Sequence, residues 1–340
     1  MSKSAVIFGG TGFIGSFFAK ELSKTEEFKK IYLADIENIE TKGFKFRQEL
    51  LKDVPNLEFI KIDVRNPIDL KIPEGVSLIA NFSAIHREPG HSDEEYFETN
   101  LLGAENVCRW SKKVECNEII FSSSIAPYGP TEDPKDENSL TVPVTPYGSS
   151  KLSAELIHQN WQHESKKERK LIIIRPGVVF GPGEGGNVSR LIKAVKGKYF
   201  IFMGNRNTRK AGIYVKELCK ALNWLRGLSK TKDNNNFILA NLTMHPNPSL
   251  EEYVNAIAKI LKLKPPYYRL PFWTLLLFSS IIDLALKPFR ISHPFSRVRI
   301  QKLNKSNHII PMFLISNNYN YHFSLEEALK DWKEDYPEEW

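Results

Sequence analysis

Short apolar runs alternate with longer amphipathic stretches along the first half of the chain. Ser4–Phe8, Ile31–Asp35, Leu57–Asp63, Val76–Phe82, Glu118–Ser122 and Leu171–Arg175 read as strands. They are short and β-branched or aromatic, and several are apolar throughout, as strands covered on both faces of a parallel sheet must be. Helical periodicity falls between them, over Ile14–Lys24, Asp93–Lys113 and Tyr147–Glu164. Repeated β-α-β units predict an α/β fold built on a doubly wound parallel sheet. Beyond Arg175 the texture changes. Gly and Pro cluster in Arg175–Gly186, so the chain leaves the sheet there. Ile213–Leu225 reads as a helix and Asn236–Ala240 as a strand returning to the sheet. Two S-x-x-E capping boxes mark further helix starts: Ser249 with Glu252 opens Leu250–Leu261, and Ser324 with Glu327 opens Leu325–Trp332. There is no internal repeat, and Lys230–Asn236 reads as a polar turn.

Composition adds bounds to this outline. The chain has 340 residues, 41% hydrophobic and 26% charged, which excludes disordered, collagen-like and disulfide-scaffold classes. Its three cysteines, Cys108, Cys116 and Cys219, are widely spaced and follow no metal or redox spacing, so no metal is expected and a reducing, cytoplasmic setting fits. Three glycines interrupt the apolar stretch near Met1, so no signal peptide is expected. The net charge of +7 is local. Ten basic residues and one acid, Asp283, lie between Lys259 and Lys305, which leaves −2 for the rest. That argues against nucleic-acid binding over the whole surface.

The candidate chemistry sits at strand ends. Gly9-Gly-Thr11-Gly12-Phe13-Ile14-Gly15 follows the first strand and opens the first helix. Glycines there let the backbone approach a pyrophosphate, while the helix N-terminus supplies N–H donors and partial positive charge. Asp35 ends the second strand. A carboxylate there accepts both ribose hydroxyls of NAD and repels the 2′-phosphate of NADP, and no arginine is adjacent, so NAD is the expected cofactor. Asp63, ending the third strand, is placed either to meet the adenine or to cap a turn. Tyr147-Gly-Ser-Ser-Lys151 begins a helix after Pro146, and positions four apart share a face. A cation beside the phenol stabilises its anion and suits it to act as a base. Of twelve tyrosines only Tyr147 has a lysine four residues on. Ser122-Ser-Ser124 ends the fifth strand, where an open α/β sheet places its ligand; Ser124 is the hydroxyl that would orient a substrate oxygen.

Together Gly9/Gly12/Gly15, Asp35, Asp63, Phe82-Ser83-Ala84, Asn100, Ser124, Tyr147/Lys151 and Arg175-Pro176-Gly resemble the extended short-chain dehydrogenase/reductase superfamily, and most of all its NAD-dependent nucleotide-sugar epimerase/dehydratase family. The resemblance runs over about residues 4–260. It implies a Rossmann domain over 1–175 with 213–241 returning to it, a smaller C-terminal α/β substrate domain over 176–212 and 242–340, and a homodimer through Asp93–Lys113 and Tyr147–Glu164. It further implies Tyr147 as base, Ser124 on the reacting hydroxyl, and Lys151 on the nicotinamide ribose. Asn100 would support the helix or a water near Lys151. Val64, Phe82, Ser83, Ala84, Ser122, Pro176 and Val178 would join the glycine turn in lining the cofactor. His86 is either a substrate-facing group or an exposed loop histidine. Asn187 and Arg190 match a nucleotide-diphosphate contact, and either Arg209 or Lys210 would bind phosphate, arginine offering the better bidentate geometry.

The implied reaction is 4-epimerisation of a UDP-hexose or UDP-N-acetylhexosamine through a transient 4-keto sugar, in surface polysaccharide synthesis. Ser124 is followed by Ile-Ala-Pro-Tyr128 and not by the family's Asp-Glu pair, which argues against dehydration. A 4-keto sugar reductase using NAD(P)H and a 3β-hydroxysteroid-type dehydrogenase are the alternatives. One departure stands out: no Arg-x-Gly-Asp-like segment occurs near the C-terminus, and Phe272–Leu286 is nearly all apolar, with basic flanks. At about 22 Å as a helix it is too short to span a bilayer. It is either a buried helix or one that docks peripherally, at 259–305, on the cytoplasmic face of a membrane.

Overall fold

A computed structural model describes residues 3–41, 44–87, 90–231, 236–266, 268–270 and 306–340. Strands β1 (Ser4–Phe8), β2 (Lys30–Asp35), β3 (Leu57–Lys61), β4 (Val76–Asn81), β5 (Glu118–Ser122), β7 (Lys170–Pro176) and β11 (Phe237–Leu242) form one seven-stranded sheet. Its order is β11-β7-β5-β4-β1-β2-β3, and every pairing in it is parallel. The remaining strands are short: β6 (Thr131–Lys135), β8 (Val178–Phe180), β9 (Phe202–Met203), β10 (Gly212–Tyr214), β12 (Arg269–Leu270) and β13 (Asn307–Ile309). They pair in twos outside the main sheet, β8 with β10, β9 with β12 and β6 with β13.

The helices are α1 (Phe13–Ser23), α2 (Lys45–Leu51), α3 (Asp93–Phe97), α4 (Gly103–Lys113), α5 (Pro146–His163), α6 (Asn187–Lys196), α7 (Val215–Thr231), α8 (Leu250–Ile260), α9 (Met312–Ser316) and α10 (Leu325–Asp335). β1 shows why the sheet is doubly wound. Ala5 and Ile7 enter a core with Phe18, Leu22, Leu218 and Leu222 of α1 and α7. Val6 and Phe8 enter the opposite core with Val107 and Trp110 of α4 and Ala154 of α5. Every residue of β1 is buried, so no polar alternation survives.

The six expected strands of the first half are all present. β3 ends two residues before Asp63, because Asp63 turns the chain instead. The expected helix over Asp93–Lys113 is interrupted by a π-helical turn, Glu98–Leu102. The expected helix at Ile213 begins at Val215, since Gly212–Tyr214 pair with Val178–Phe180. Both predicted capping boxes form, and α3 carries a third, Ser92 with Glu95. The Phe272–Leu286 segment and most of the basic stretch lie outside the described residues.

The chain runs outward from β1 through β2 to β3, then crosses back to β4 on the other side of β1. Strand order therefore reverses between β1 and β4. The crevice at their carboxyl ends is where such sheets hold ligands.

Candidate active site

The loop after β1 and the loop after β4 wall this crevice. Gly9 has φ +75°, and a Cβ there would lie 2.7 Å from the Ser83 nitrogen and 2.8 Å from the Phe82 carbonyl carbon. A Cβ on Gly15 would lie 2.2 Å from the Gly9 carbonyl oxygen. These glycines are thus required for α1 to begin against the turn and for both loops to close on each other. Gly12 is the N-cap of α1 and supplies no side-chain cap, and the first turn, from Phe13 and Ile14, carries no acid. Its first N–H groups face the crevice end of the helix without intrahelical partners.

Asp35 lies beside this turn. Its Oδ2 accepts from the Thr11 amide at 3.2 Å and its Oδ1 from the Ile36 amide at 2.8 Å. The Thr11 hydroxyl donates to the Glu37 carbonyl at 2.9 Å. Ser83 donates to Asn81 Oδ1 at 2.7 Å. Asp63 accepts from the Arg65 amide, closing a turn, and its carboxylate holds the Arg65 guanidinium at 2.6–3.0 Å. Val64 is buried, and a Cβ on Gly103 would lie 2.9 Å from its Cγ2, so α4 packs directly on this loop.

The Tyr-Lys pair sits at the start of α5. Thr145 caps the helix by accepting from the Gly148 amide at 3.1 Å, with Pro146 in the first turn. Lys151 is completely enclosed, its ammonium 4.5 Å from the centre of the Phe121 ring. Burial pulls its pKa down to about 7, opposed by the charge of Glu155. Tyr147 is half-buried one turn earlier, its ring 6.1 Å from that of Tyr96. Asn100 occupies the π-helical turn and donates to the Ser150 hydroxyl at 2.9 Å, while its Oδ1 accepts from the Ile85 amide at 3.1 Å. Ser150 in turn donates to the Tyr147 carbonyl at 2.9 Å. Asn100 therefore ties the β4 loop to the first turn of α5.

At the end of β5, Ser124 Oγ accepts from the Ala126 amide at 3.1 Å, which leaves its O–H to donate elsewhere. Ser122 and Ser123 are buried. Ser123 donates to Glu155 Oε1 at 2.5 Å, and Glu155 also holds Arg175 through bonds of 2.9 and 2.6 Å. Burial works against the Arg175 charge, but the Glu155 bonds outweigh it and raise its pKa. Glu155 escaped the sequence reading, although its spacing continues the Tyr147–Lys151 face by one more turn. Pro176 and Val178 lie either side of Gly177, where a Cβ would come within 2.5 Å of the Ala211 carbonyl oxygen. The Pro176 carbonyl accepts from the Ile125 amide at 3.1 Å, which keeps the end of β7 against the segment after Ser124.

The residues expected to meet the substrate divide. His86 lies at the rim, exposed in area; the protein around its ring, then the positive charges of Arg87 and Lys151, hold it below its ordinary range. Arg190 Nη2 donates to Asn187 Oδ1 at 2.8 Å, so these two form one unit at the start of α6. Arg209 and Lys210, neighbours on an extended segment, part company. Arg209 is exposed and donates to the Asn247 carbonyl at 2.6 Å. Lys210 is half-buried; burial lowers its pKa against the attraction of Glu132.

The fold and this strand-end site define an α/β dinucleotide enzyme of the short-chain dehydrogenase/reductase type. The model of the NAD-dependent epimerase/dehydratase family matches residues 5–239, and the chain belongs to that family. It is 26% identical over 333 residues to an N-acetyl-α-D-glucosaminyl-diphospho-ditrans,octacis-undecaprenol 4-epimerase of Escherichia coli O157:H7, covering 97% of this chain and 94% of the relative. A bifunctional UDP-glucose and UDP-xylose 4-epimerase of Pisum sativum is 27% identical over 201 residues, 55% of each chain. Among solved structures, a UDP-glucuronic acid 4-epimerase from Bacillus cereus superposes with a TM-score of 0.75 at 17% identity, over 99% of this chain and 100% of that one. Among the described residues there is no cluster of three potential metal ligands, and no helix is long and apolar enough to cross a membrane.

Proposed function

We propose that this chain is a 4-epimerase of a hexose or N-acetylhexosamine carried on a diphosphate. The observation that supports this reading is that Tyr147 and Lys151 lie one turn apart on α5, the lysine buried, with the loop after Ser124 packed on the same first turn, where a Cβ on Gly148 would lie 2.9 Å from the Ala126 carbonyl oxygen. Tyr147 would take the proton of the sugar 4-hydroxyl, and Ser124 would donate to the same oxygen. The Lys151 charge favours the phenolate. When bound, NAD supplies the acceptor for the C4 hydride and returns it. The 4-keto sugar turns over between the two transfers, so Tyr147 gives its proton back and no cofactor is consumed. Lys210 or its neighbour Arg209 would meet the diphosphate, and Asn187 with Arg190 would meet it from α6.

The test is incubation of the protein with UDP-N-acetylglucosamine, followed by NMR for the 4-epimer without added cofactor. Interconversion without net NADH formation is expected. Stoichiometric consumption of NADH or NADPH by a 4-keto sugar would replace this reading with a reductase. Tyr147→Phe is expected to lower turnover about 10²–10⁴-fold while leaving NAD bound.

A second carrier is favoured by one observation: likeness to the Escherichia coli undecaprenol-linked enzyme extends over 97% of this chain. Running the same assay on N-acetylglucosaminyl-diphospho-undecaprenol in detergent separates the two carriers. Lipid-linked turnover would also support peripheral membrane contact through the basic 259–305 stretch and a role in surface polysaccharide synthesis. The homodimer belongs with this reading as well; Leu102 and Leu156, exposed beside and on the helices named for it, are the residues expected to bury on association.

A further inference from the structure

The preference for NAD was argued from Asp35 together with the lack of an arginine beside it in sequence. The fold supplies one. Helix α2, which no periodicity announced, brings Arg47 back onto the glycine turn, twelve residues after Asp35. Arg47 Nη1 donates to the Thr11 carbonyl at 3.1 Å, while the Thr11 amide donates to Asp35 Oδ2 at 3.2 Å. Carboxylate and guanidinium are thus bonded to the two backbone polar atoms of one residue, and Asp35 is the group that would meet the adenosine ribose of a dinucleotide.

Two further contacts fix the guanidinium there. It lies 4.4 Å over the Phe44 ring, which holds its plane. The next-door Phe46 is wedged against Phe17 of α1, Tyr336 and Gly183, so α2 cannot swing away cheaply. Burial lowers the Arg47 pKa, the Asp35 charge raises it, and the Arg87 charge lowers it again. Arg87 belongs to the loop after β4, on the other wall of the crevice. Positive charge thus bears on this spot from two loops, which suits an anion.

We propose that Arg47 is a cofactor-specificity residue, a cation placed to receive the 2′-phosphate of NADP and opposed in this by the Asp35 carboxylate. Selectivity for NAD is then a balance between two opposed side chains on Thr11. It does not follow from a site that lacks a phosphate-binding group. The inference rests on the cofactor site and not on the sugar chemistry.

Binding of NAD and NADP to the full chain, followed by tryptophan fluorescence or calorimetry, tests it without any sugar substrate. Asp35→Asn is expected to move the NADP:NAD affinity ratio at least about tenfold toward NADP. Adding Arg47→Gln to Asp35→Asn should cancel that gain, whereas adding Arg47→Lys, which keeps the charge, should keep most of it. The ratio is the readout because loosening of the Thr11 loop would weaken both dinucleotides alike. Arg47→Met, which keeps the packing stem, serves if the glutamine variant fails to fold. The proposal is overturned if Asp35→Asn gains nothing for NADP, or if the gain survives loss of the Arg47 charge. A chain that binds neither dinucleotide overturns it together with the cofactor site. A chain that binds NAD but epimerises no sugar sinks the functional reading and leaves this one standing.

Discussion

His158 lies wholly buried on the inner side of α5, its ring stacked 4.1 Å from that of Phe121. Its Nδ1 lies 2.8 Å from the Ala154 carbonyl, so that nitrogen carries the proton, and Nε2, 3.3 Å from the Asn81 amide nitrogen, accepts. Asn81 then accepts from Ser83. The chain of bonds fixes Ser83 under the glycine turn and needs a neutral ring. Burial pushes the His158 pKa down to about 4. The folded state therefore binds fewer protons than the unfolded chain between pH 6.5 and pH 4, and its stability falls as pH drops through that window. The loss should reach about 3 kcal/mol, measured by urea unfolding at pH 7 and pH 4.5. His158→Gln should flatten that part of the pH dependence. An unchanged acid slope in the variant would show that His158 is not the titrating group.

Glu155 argues the same point for a charge. Nothing in composition marks it, yet it is fully buried and joins Ser123, Arg175 and the Lys151 face. Removing one partner of such a pair leaves the other buried and unpaired, so Glu155→Ala should cost about 3–5 kcal/mol of unfolding free energy. Glu155→Ala/Arg175→Met should recover much of it, and a double mutant no more stable than the single would count against the pairing.

At the scale of elements, the turn between β1 and α1 was legible because its constraint is local. Gly15→Ala would put a methyl 2.2 Å from the Gly9 carbonyl oxygen. Backbone cannot yield there as a flexible side chain would, so the variant should lose NAD affinity at least about tenfold and about 1–3 kcal/mol of stability. Calorimetry and thermal melting would report both. Helix α2 illustrates the opposite. Its seven residues have too little periodicity to announce a helix, and packing of Phe46 and Leu50 decides it. The π-helical turn at Asn100 was equally invisible, because one extra residue in a turn leaves the apolar spacing almost unchanged.

Across the whole molecule, Glu137 fastens the C-terminal part to the sheet. Its carboxylate accepts from the amides of Asn241 at the end of β11, and of Met312 and Phe313 in α9. Burial raises its pKa, and these backbone bonds oppose the rise. Nearby, the Tyr128 hydroxyl donates to Asn241 Oδ1 at 2.9 Å, and the Arg175 guanidinium lies 4.8 Å over the Tyr128 ring. The network thus runs from Glu155 through Arg175 and Tyr128 to Asn241, next to the Glu137 contacts. Glu137→Gln keeps the shape but replaces one acceptor oxygen by a donor. It should cost about 1–3 kcal/mol and speed amide exchange at Asn241 and across 307–316 before the core of the sheet opens. Uniform exchange over the whole chain would refute this division.

The sequence alone determined the parallel sheet, the glycine turn, Asp35, and the Tyr147–Lys151 face, because each depends on residue type and spacing within one β-α unit. It also told that charge is gathered at the C-terminal end. Tertiary structure decided what those residues meet. It turned Asp63 onto Arg65 and separated Lys210 from Arg209. It set Arg47 against Asp35 and placed Glu155 between serine and arginine. Such pairings join residues distant in sequence, and only the crossing of strands and the packing of helices brings their charges within reach.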